Sequence, residues 1–241
     1  MRRWVIGMLP VVCSYCSLVQ PLRAVRAQTP PSVREVLQRV STAAGGADVE
    51  QRVTSRLAKG FVVTPGGRAP VTVYQKMPNR FLIVIDSPAG GLSRNAFDGT
   101  EAWSQNRGGT EAKNGHEVDF VRREQMLHRE VRLATLFKTL SVDQAMTSEG
   151  RPATGIRAVA SDGVVERFLF DQESYLLISH EVEINGKLLR SEFEDYRILD
   201  GVPVAHRVKR SRPDFAWTTE FLDVRQNVPI EESLFTKPSV R

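Results

Sequence analysis

The clearest pattern in this chain is an alternation of apolar and polar residues between positions 164 and 225. It falls in a row of five segments that are predicted to be strands, at residues 164–170, 176–184, 188–199, 202–211 and 217–225, and it is cleanest in the second. In the second segment, the predicted apolar face consists of Leu176, Ile178, His180, Val182 and Ile184. Asn185-Gly186 and Asp200-Gly201 follow two of the segments, and these dipeptides supply the positive φ angles that two-residue hairpin turns need. The spacing therefore predicts a twisted antiparallel meander with one apolar and one polar face.

A second set of predicted strands lies in the first half of the chain, after an amphipathic helix at residues 32–44. These strands cover residues 55–64, 71–76, 80–86, 92–97 and 101–106. In the third of them, apolar residues run from Phe81 to Ile85 without a polar break. An antiparallel strand that is apolar on both sides must be covered on both faces or must face a cavity.

The pattern changes to a helical period between residues 117 and 140, which predicts one long helix or two consecutive helices. The apolar stripe of this segment includes Leu127, Val131, Ala134 and Phe137. Further strands are predicted at residues 142–148 and 155–160, and a helical turn at residues 229–235. The whole pattern predicts a mainly β (α+β) fold, with a curved antiparallel sheet of about 10–12 strands. An N-terminal helix and a central helical lid would cover its concave side.

Residues 1–27 have the pattern of a cleaved signal peptide, with a positive start, an apolar stretch and a cut expected after Ala27. Cys13 and Cys16 both lie inside this segment, so the expected mature chain has no thiol and no Cys-based metal or haem attachment. The segment holds four Arg and no acidic residue, so its removal lowers the net charge from +5 to +1. We therefore expect an exported single domain over residues 28–241 that does not bind nucleic acid.

The mature sequence carries no recognisable catalytic set, so we predict that the protein is not an enzyme and binds no metal and no cofactor. His180 and His206 fall on the apolar side of their predicted strands, which is typical of satisfied core histidines. A zinc site drawing on both is the alternative. A hydrolase would need them to converge with a carboxylate on one pocket wall. The basic run of Lys209, Arg210 and Arg212 is predicted to be a solvated face that protects a strand edge.

Three short motifs along the chain point to a known family. The first is Tyr74-Gln75-Lys76-Met77-Pro78-Asn79-Arg80-Phe81, in which Pro-Asn and an aromatic residue begin a strand. The second is the hairpin Phe97-Asp98-Gly99-Thr100-Glu101-Ala102-Trp103, and the third is Phe170-Asp171 before Leu176-Leu177. In order and spacing they resemble the LolA-like family of periplasmic lipoprotein carriers, and in particular its diverged outer membrane lipoprotein-sorting proteins. The resemblance implies an incomplete β-barrel closed by helices around an apolar cavity.

This resemblance also implies an exported periplasmic carrier that binds a lipid, or the acyl chain of a lipoprotein, in the cavity. The alternative is an envelope interaction or sensor module of the same fold without transfer activity. The implied partners are the acyl chain, an envelope protein and, transiently, a membrane. The cavity is then expected to be lined by Met77, Phe81, Ile83, Phe97, Trp103, Leu127, Val131, Phe137, Phe168, Phe170, Ile178, Phe193 and Phe221.

Met77 stands where the lipoprotein carriers have an arginine that takes part in gating ligand release. Methionine can line an apolar cavity, but it lacks the hydrogen-bond donors of arginine. We therefore expect a closed state without polar latching between the sheet and its lids. We also expect the lid's apolar stripe to face the concave side of the sheet, with Gly108, Gly109 and Gly115 as its hinge. Replacement of Met77 by Arg should leave folding intact and change ligand exchange.

Overall fold

The computed structural model describes residues 31–88 and 90–238. The expected signal peptide, residues 1–27, lies outside the described residues. The described chain consists of antiparallel strands, with short helices at its beginning, in its middle and at its end. None of the helices in these residues is long and apolar enough to cross a membrane.

The N-terminal part of the described chain begins with two helices and continues as six strands. Helix α1 (Val33–Ala43) starts with a capping box, in which Ser32 and Glu35 satisfy each other's backbone N–H groups. Helix α2 (Val49–Arg52) follows after a short turn. The strands are β1 (Ser55–Thr64), β2 (Gly67–Lys76), β3 (Arg80–Ser87), β4 (Gly91–Phe97), β5 (Ala102–Asn106) and β6 (Gly109–Ala112).

The C-terminal part begins with a helical insertion and continues as seven strands. The insertion contains α3 (His116–Glu124), a 3-10 turn (Arg129–Arg132) and α4 (Leu133–Leu136). The strands are β7 (Thr139–Ser148), β8 (Arg151–Val159), β9 (Val165–Asp171), β10 (Leu177–Ile184), β11 (Lys187–Leu199), β12 (Val202–Arg212) and β13 (Phe215–Gln226). A 3-10 turn at Glu232–Leu234 lies in the C-terminal tail, where the sequence predicts a helical turn.

All strands of the described residues form one curved, unclosed antiparallel sheet, so the predicted fold class is confirmed. The sheet has 13 strands in the order β6-β5-β4-β3-β2-β1-β13-β12-β11-β10-β9-β8-β7. The additional strand is β6, which lies in a polar, glycine-containing stretch where the sequence predicts no strand. Pairing of β1 with β13 joins the two meanders. At Gly60 the two strands lie so close that an added Cβ would be 1.8 Å from the carbonyl oxygen of Glu220. This close approach requires glycine.

The helical insertion connects the two open edges of the sheet. It follows β6, which is one edge strand, and precedes β7, which is the other. The chain must therefore cross from edge to edge between residues 113 and 138. This crossing places the insertion over the concave face, which we call the interior face, and accounts for the predicted lid.

Strand β3 is apolar on both sides because both of its faces are covered. Phe81, Ile83 and Ile85 face the interior and line a cavity beneath α3. Leu82 and Val84 face outwards and pack with residues of β5 and of the C-terminal tail. The apolar run in the sequence is uninterrupted because one side of the strand forms a cavity wall and the other side belongs to a packed core.

Strand β10 departs from the predicted alternation at its beginning. Its pairing with β9 shifts register between Leu177 and Ser179, which indicates a β-bulge. Ile178 therefore packs with Ala153 and Leu169 in a separate cluster on the outer face. His180 instead stacks on Phe168 of the interior core, with ring centroids 4.6 Å apart. The prediction that Ile178 and His180 share one face is wrong, because the bulge adds one residue to the strand.

The insertion is not built from long helices. After Glu124, the helix gives way to an irregular segment in which His128 has a left-handed φ of 61°. The predicted stripe is therefore only partly realised. Leu127 and Phe137 are buried, but Ala134 is exposed and Leu133 takes the buried position beside it. A left-handed residue shifts the helical phase, and the period of the sequence does not reveal that shift.

The interior face is packed solid on only one side. Between β7 and β10, residues of α1, α4 and the strands form the largest core cluster, which contains Val36, Leu133, Ile156, Phe168 and Phe170. The opposite side, at β1–β3 and β12–β13, contributes no residue to this cluster. The open space of the half-barrel lies on that side.

Candidate functional site

The larger of two interior cavities lies between α3 and the sheet and has a volume of about 770 Å³. Phe120 and Val121 of α3 cover it, and β3 forms one wall. It extends to the end of the sheet where the β1–β2 and β12–β13 turns lie. Its other apolar lining includes Val62, Ile184, Leu189, Phe215 and Trp217, and its charged lining includes Arg68, Lys113, Glu117, Arg210 and Arg212. A cavity of this size and lining lies in the range of sites that bind apolar ligands.

The smaller cavity, of about 210 Å³, lies beneath the segment 125–130 that follows α3. It extends towards the other end of the sheet, near α1. Its apolar lining includes Ala58, Val73, Leu127, Leu177, Phe193, Val204, Val208 and Phe221. Its polar lining includes Arg56, Arg129, Glu130, Tyr196 and Thr219. This cavity is thus a mixed site, with polar and apolar surface in nearly equal parts and with several cations.

The two cavities meet at residues that line both of them. These residues are Phe81, Ile83, Glu124, Gln125 and Arg210. The Glu124 carboxylate lies 3.6 Å from the Arg210 guanidinium and also pairs with Arg129. Gln75 donates a hydrogen bond of 3.0 Å to the carbonyl oxygen of Gln125. The end of α3 therefore forms a polar partition between the cavities, attached to both β2 and β12.

Behind this partition, His180 lies between two carboxylates. Its Nε2 is 2.9 Å from Glu166, and its Nδ1 is 3.2 Å from Glu124, where the contact is an ion pair without an aligned hydrogen bond. Arg123 donates to Glu166 over 2.8 Å and to Asp162 over 3.2 Å. The last two residues of α3, Arg123 and Glu124, thus attach the lid to β9, β10 and β12 through buried ion pairs.

The charges in this cluster shift one another's pKa values. Burial and Arg129 disfavour protonation of His180, but the two carboxylates outweigh both and raise the pKa of His180. Burial also disfavours ionisation of Glu124, but Arg129, His180 and Arg210 outweigh it and hold the pKa of Glu124 well below its usual range. Against the same effect of burial, His180 and the arginines lower the pKa of Glu166. The cluster is therefore charged and mutually compensated.

This cluster overturns the expectation of an unlatched lid. The lid is latched to the sheet by Arg123 and Glu124, which lie about 50 positions after Met77 in the chain. Met77 itself is half-buried and packs in a cluster with Leu127 and Val131. It lies one layer behind the cavity wall, because Leu127 is a lining residue and Met77 is not.

The structure brings together some of the predicted lining residues and separates the others. Phe81, Ile83, Leu127, Phe193 and Phe221 line the smaller cavity, and the first two also line the larger one. Phe137, Phe168 and Phe170 belong to the solid interior core. Trp103 and Ile178 belong to the outer clusters, Val131 packs with Met77, and Phe97 is buried beneath Arg122.

The sequence did not indicate that several charged residues belong to the site. Arg210 belongs to the run that we predicted to be solvated, but its strand is central in the sheet and its side chain is drawn inwards by Glu124. Glu124 sits among the charged residues of an amphipathic helix, which a sequence pattern assigns to solvent. Arg56 shares the interior side of β1 with Ala58 and Val62, and this charged position in an otherwise apolar set was the one available signal.

His180 and His206 do not converge. His206 bonds through Nδ1 to the carbonyl oxygen of Val204 in its own strand, at 2.9 Å. His180 pairs with Ser191 of β11, which in turn pairs with Arg210 of β12. His206 lies four residues from Arg210 on β12, so His180 and His206 are separated by roughly 13 Å along the strand direction. In the part of the chain that the structure describes, no group of three or more His, Cys, Asp or Glu is arranged to hold a metal ion.

No protein-family model matches the sequence, and no curated protein matches it. Solved structures do match. A DUF1329 family protein from Desulfovibrio piger is 12% identical with a TM-score of 0.59, covering 85% of this chain and 97% of that one. A putative outer membrane lipoprotein-sorting protein domain from Vibrio parahaemolyticus is 13% identical (TM-score 0.57), covering 83% and 94%. A LolA superfamily protein from Nitrosomonas europaea is 10% identical (TM-score 0.58), covering 86% and 98%. The chain therefore has a LolA-like fold.

Proposed function

We propose that this protein is an exported periplasmic carrier that binds the acyl chain of a lipid or lipoprotein in its larger cavity. The observation that carries the proposal is a largely apolar cavity of about 770 Å³ between α3 and the interior face of the sheet. The pattern of residues 1–27 supports export. The likeness of the fold to a lipoprotein-sorting protein domain supports the outer membrane lipoprotein-sorting type.

The energy of acyl burial is sufficient for reversible binding. Each buried methylene contributes about 0.8 kcal/mol, so roughly ten of them contribute on the order of 8 kcal/mol. The loss of translational and rotational freedom costs at least about 4 kcal/mol. The balance of about 4 kcal/mol corresponds to a weak, reversible complex with a Kd on the order of 1 mM, and a longer buried chain would bind more tightly. No covalent chemistry is needed.

Residues at the open end of the larger cavity are suited to the entry of an acyl chain. Phe215 is 50% exposed and stacks on Trp217, with ring centroids 5.7 Å apart. The guanidinium of Arg212 lies 5.8 Å from the centroid of the Trp217 ring. Aromatic rings and cations are enriched together at the boundary between lipid and water. We assign the transient membrane contact to this end of the sheet.

The proposal is tested on protein expressed from the full-length sequence and purified from the envelope fraction. Native mass spectrometry should detect bound acyl lipid, and the delipidated protein should bind a fluorescent fatty acid. Ile83→Asn should weaken this binding about tenfold, because it buries an unpaired amide in the wall of both cavities. Val84→Asn is the matched control, because Val84 is the adjacent half-buried residue of β3 but faces outwards. It should keep the affinity of the unsubstituted protein.

A protein that is empty after purification and binds no fatty acid would exclude the carrier function. The alternative, an envelope interaction or sensor module without transfer activity, then becomes the better explanation. Its own test is recovery of a defined envelope protein in a pull-down that Phe215→Ser or Leu222→Ser abolishes, since both side chains are large, apolar and exposed.

A further inference from the structure

Arg56 is a cation in the interior without a counter-ion. It lies on β1, and its side chain lines the smaller cavity. Its Nε is buried without a hydrogen-bond partner. Among residues 31–88 and 90–238, no carboxylate lies within 4.0 Å of its guanidinium; the carboxylate of Glu130 acts on it only at longer range. Arg56 is half-buried, and burial of a charge without a partner is costly, so Arg56 is a candidate to pair with a ligand.

The rest of the smaller cavity does not neutralise Arg56. Arg129 and Arg210 also line it, and the two carboxylates in its lining are Glu124 and Glu130. Glu124 is already shared between Arg129, Arg210 and His180. The Nε of Arg129 is also buried without a hydrogen-bond partner. Burial lowers the pKa of Arg56 to about 10, which leaves it charged at neutral pH. With three arginines against two glutamates, the lining of the cavity carries a net charge of +1, which corresponds to the unpaired Arg56.

The position of the smaller cavity relates this charge to the apolar space beside it. Phe81 and Ile83 line both cavities, so a ligand on that wall of β3 can contact both compartments. The smaller compartment, at about 210 Å³, has room for roughly seven water volumes, which is enough for a carboxylate or a phosphate group. Tyr196 lies in the same wall but uses its hydroxyl to donate to the carbonyl oxygen of Leu177. Arg56 is therefore the principal free donor.

We propose that the ligand is an anionic amphiphile that binds with its head inwards: Arg56 pairs with its carboxylate or phosphate group in the smaller cavity, and its chain lies in the larger cavity. This inference rests on the proposed acyl-binding function and adds the chemical class and the orientation of the ligand. A neutral lipid would leave Arg56 unpaired. An anionic one supplies the missing counter-ion and a charge-assisted hydrogen bond in a water-poor site.

The test compares acyl probes that differ only in charge. A fluorescent fatty acid is paired with its methyl ester, and a fluorescent lysophosphatidic acid with its neutral phosphotriester, each binding to the delipidated protein. We expect at least one anionic probe to bind about tenfold or more tightly than its neutral ester, as for a charge-assisted hydrogen bond in a buried site. A preference for the fatty acid identifies a carboxylate head, and a preference for the lysophosphatidic acid identifies a phosphate head.

Two variants of β1 distinguish a binding role from a structural one. Arg56→Met should remove the preference for the anionic probe, and should leave unchanged or raise the thermal midpoint of the empty protein, because it removes an unpaired buried charge. Lys59→Met is the matched control, because Lys59 is an exposed cation of the same strand that lines neither cavity. It should keep the preference of the unsubstituted protein.

Equal affinity for the anionic and neutral probes would overturn the inference and leave the acyl-binding function standing. A lower thermal midpoint of Arg56→Met together with an unchanged preference would also overturn it, because Arg56 would then have a structural role. Loss of preference in Lys59→Met as well would attribute the effect to net charge alone and reject the assignment to Arg56. Failure of every probe to bind would instead refute the proposed function itself.

Discussion

The carboxylate of Glu124, the last residue of α3, lies 3.2 Å from Nδ1 of His180 on β10. This contact joins a lid helix to the middle of the sheet in a region where His180 is fully buried. Glu166 binds the other ring nitrogen, so the imidazole bridges the lid and the strand beside it. A lid held in this way can open only if buried charges separate. That requirement makes the stability and the motion of the lid depend on the same few residues.

Stability should depend on pH in both directions around this bridge. The pKa of His180 is raised, so its contribution is complete below the unfolded-state value of about 6.5 and is lost as the pH rises through the folded value. The pKa values of Glu124 and Glu166 are lowered, so their contribution is complete above about 4.3 and is lost as the pH falls. We expect the contribution of this bridge to stability to be largest between roughly pH 5 and 6.5.

Urea unfolding at pH 5.5 and 8.5 measures the alkaline side of this dependence. His180→Gln should lower the free energy of unfolding at pH 5.5 by about 3–5 kcal/mol, because it breaks a buried ion pair, and should abolish the loss of stability between the two pH values. His206→Gln is the control, since its ring bonds only a backbone carbonyl, and it should keep the loss. Parallel behaviour of His180→Gln and the unsubstituted protein would contradict the prediction.

Glu124→Gln should weaken the attachment of the lid to the sheet while keeping the side-chain volume at position 124. The substitution leaves Arg129, Arg210 and His180 without their shared carboxylate, which should cost about 3 kcal/mol or more. Hydrogen exchange is measured by mass spectrometry in this variant and in the unsubstituted protein. The substitution should accelerate exchange more in residues 116–132 than in β9 and β10. Glu117→Gln in the same helix is the control, because Glu117 only accepts a 3.5 Å bond from Asn185. Unchanged exchange in the Glu124 variant would place the latch elsewhere.

The C-terminal tail should contribute strongly to stability because it covers the outer face of β3. Phe235 is fully buried, and its carbonyl oxygen accepts a 2.8 Å hydrogen bond from Nε1 of Trp103. Phe235→Ala should lower the free energy of unfolding by about 3–5 kcal/mol. Leu234→Ala, at a neighbour that is 41% exposed, should change it by less than about 0.5 kcal/mol. The measurement is urea unfolding of both variants. Equal losses of unfolding free energy would contradict the buried position assigned to Phe235.

The sheet could be predicted because its turns have local causes. Asn185 and Gly186 adopt φ angles of 51° and 72°, as two-residue hairpin turns require, and the strands on either side follow from them. Strand β6 could not be predicted, because its polar, glycine-containing segment has no apolar face of its own. It becomes a strand only through pairing with β5. The bulge at Ile178 is likewise a property of the pair β9–β10 and not of either segment alone.

The candidate site could be predicted only where its residues are apolar. Phe81 and Ile83 stand out in the sequence, because a strand that is apolar on both sides implies a cavity or a second core. Glu124 and Arg210 do not stand out, because charged residues are assigned to solvent unless a partner is known. Their partners come from strands and helices that are distant in the chain. Buried electrostatics of this kind depends on the tertiary fold, so the latch and Arg56 appear only in three dimensions.

Met77 offers a final test of how far the family resemblance applies to gating. Its side chain packs against the cluster that contains Leu127, and Leu127 lines the smaller cavity, so a change at Met77 can reach the ligand through this cluster. Met77→Arg adds hydrogen-bond donors beside the segment that follows α3. Since Met77 is half-buried, the charged end of the arginine can still reach water while its stem stays packed. Folding should therefore remain intact.

We expect Met77→Arg to slow the release of a bound fluorescent acyl probe by about two- to fivefold, the effect of one added hydrogen bond on the closed lid. Met77→Leu conserves volume and apolar character, so it should leave the release rate unchanged. Release is measured by transfer of the probe to acceptor vesicles. Because the latch at Glu124 is already present, the effect of Met77→Arg should be smaller than the acceleration caused by Glu124→Gln. Equal release rates for Met77→Arg and the unsubstituted protein would remove this position from the gating mechanism.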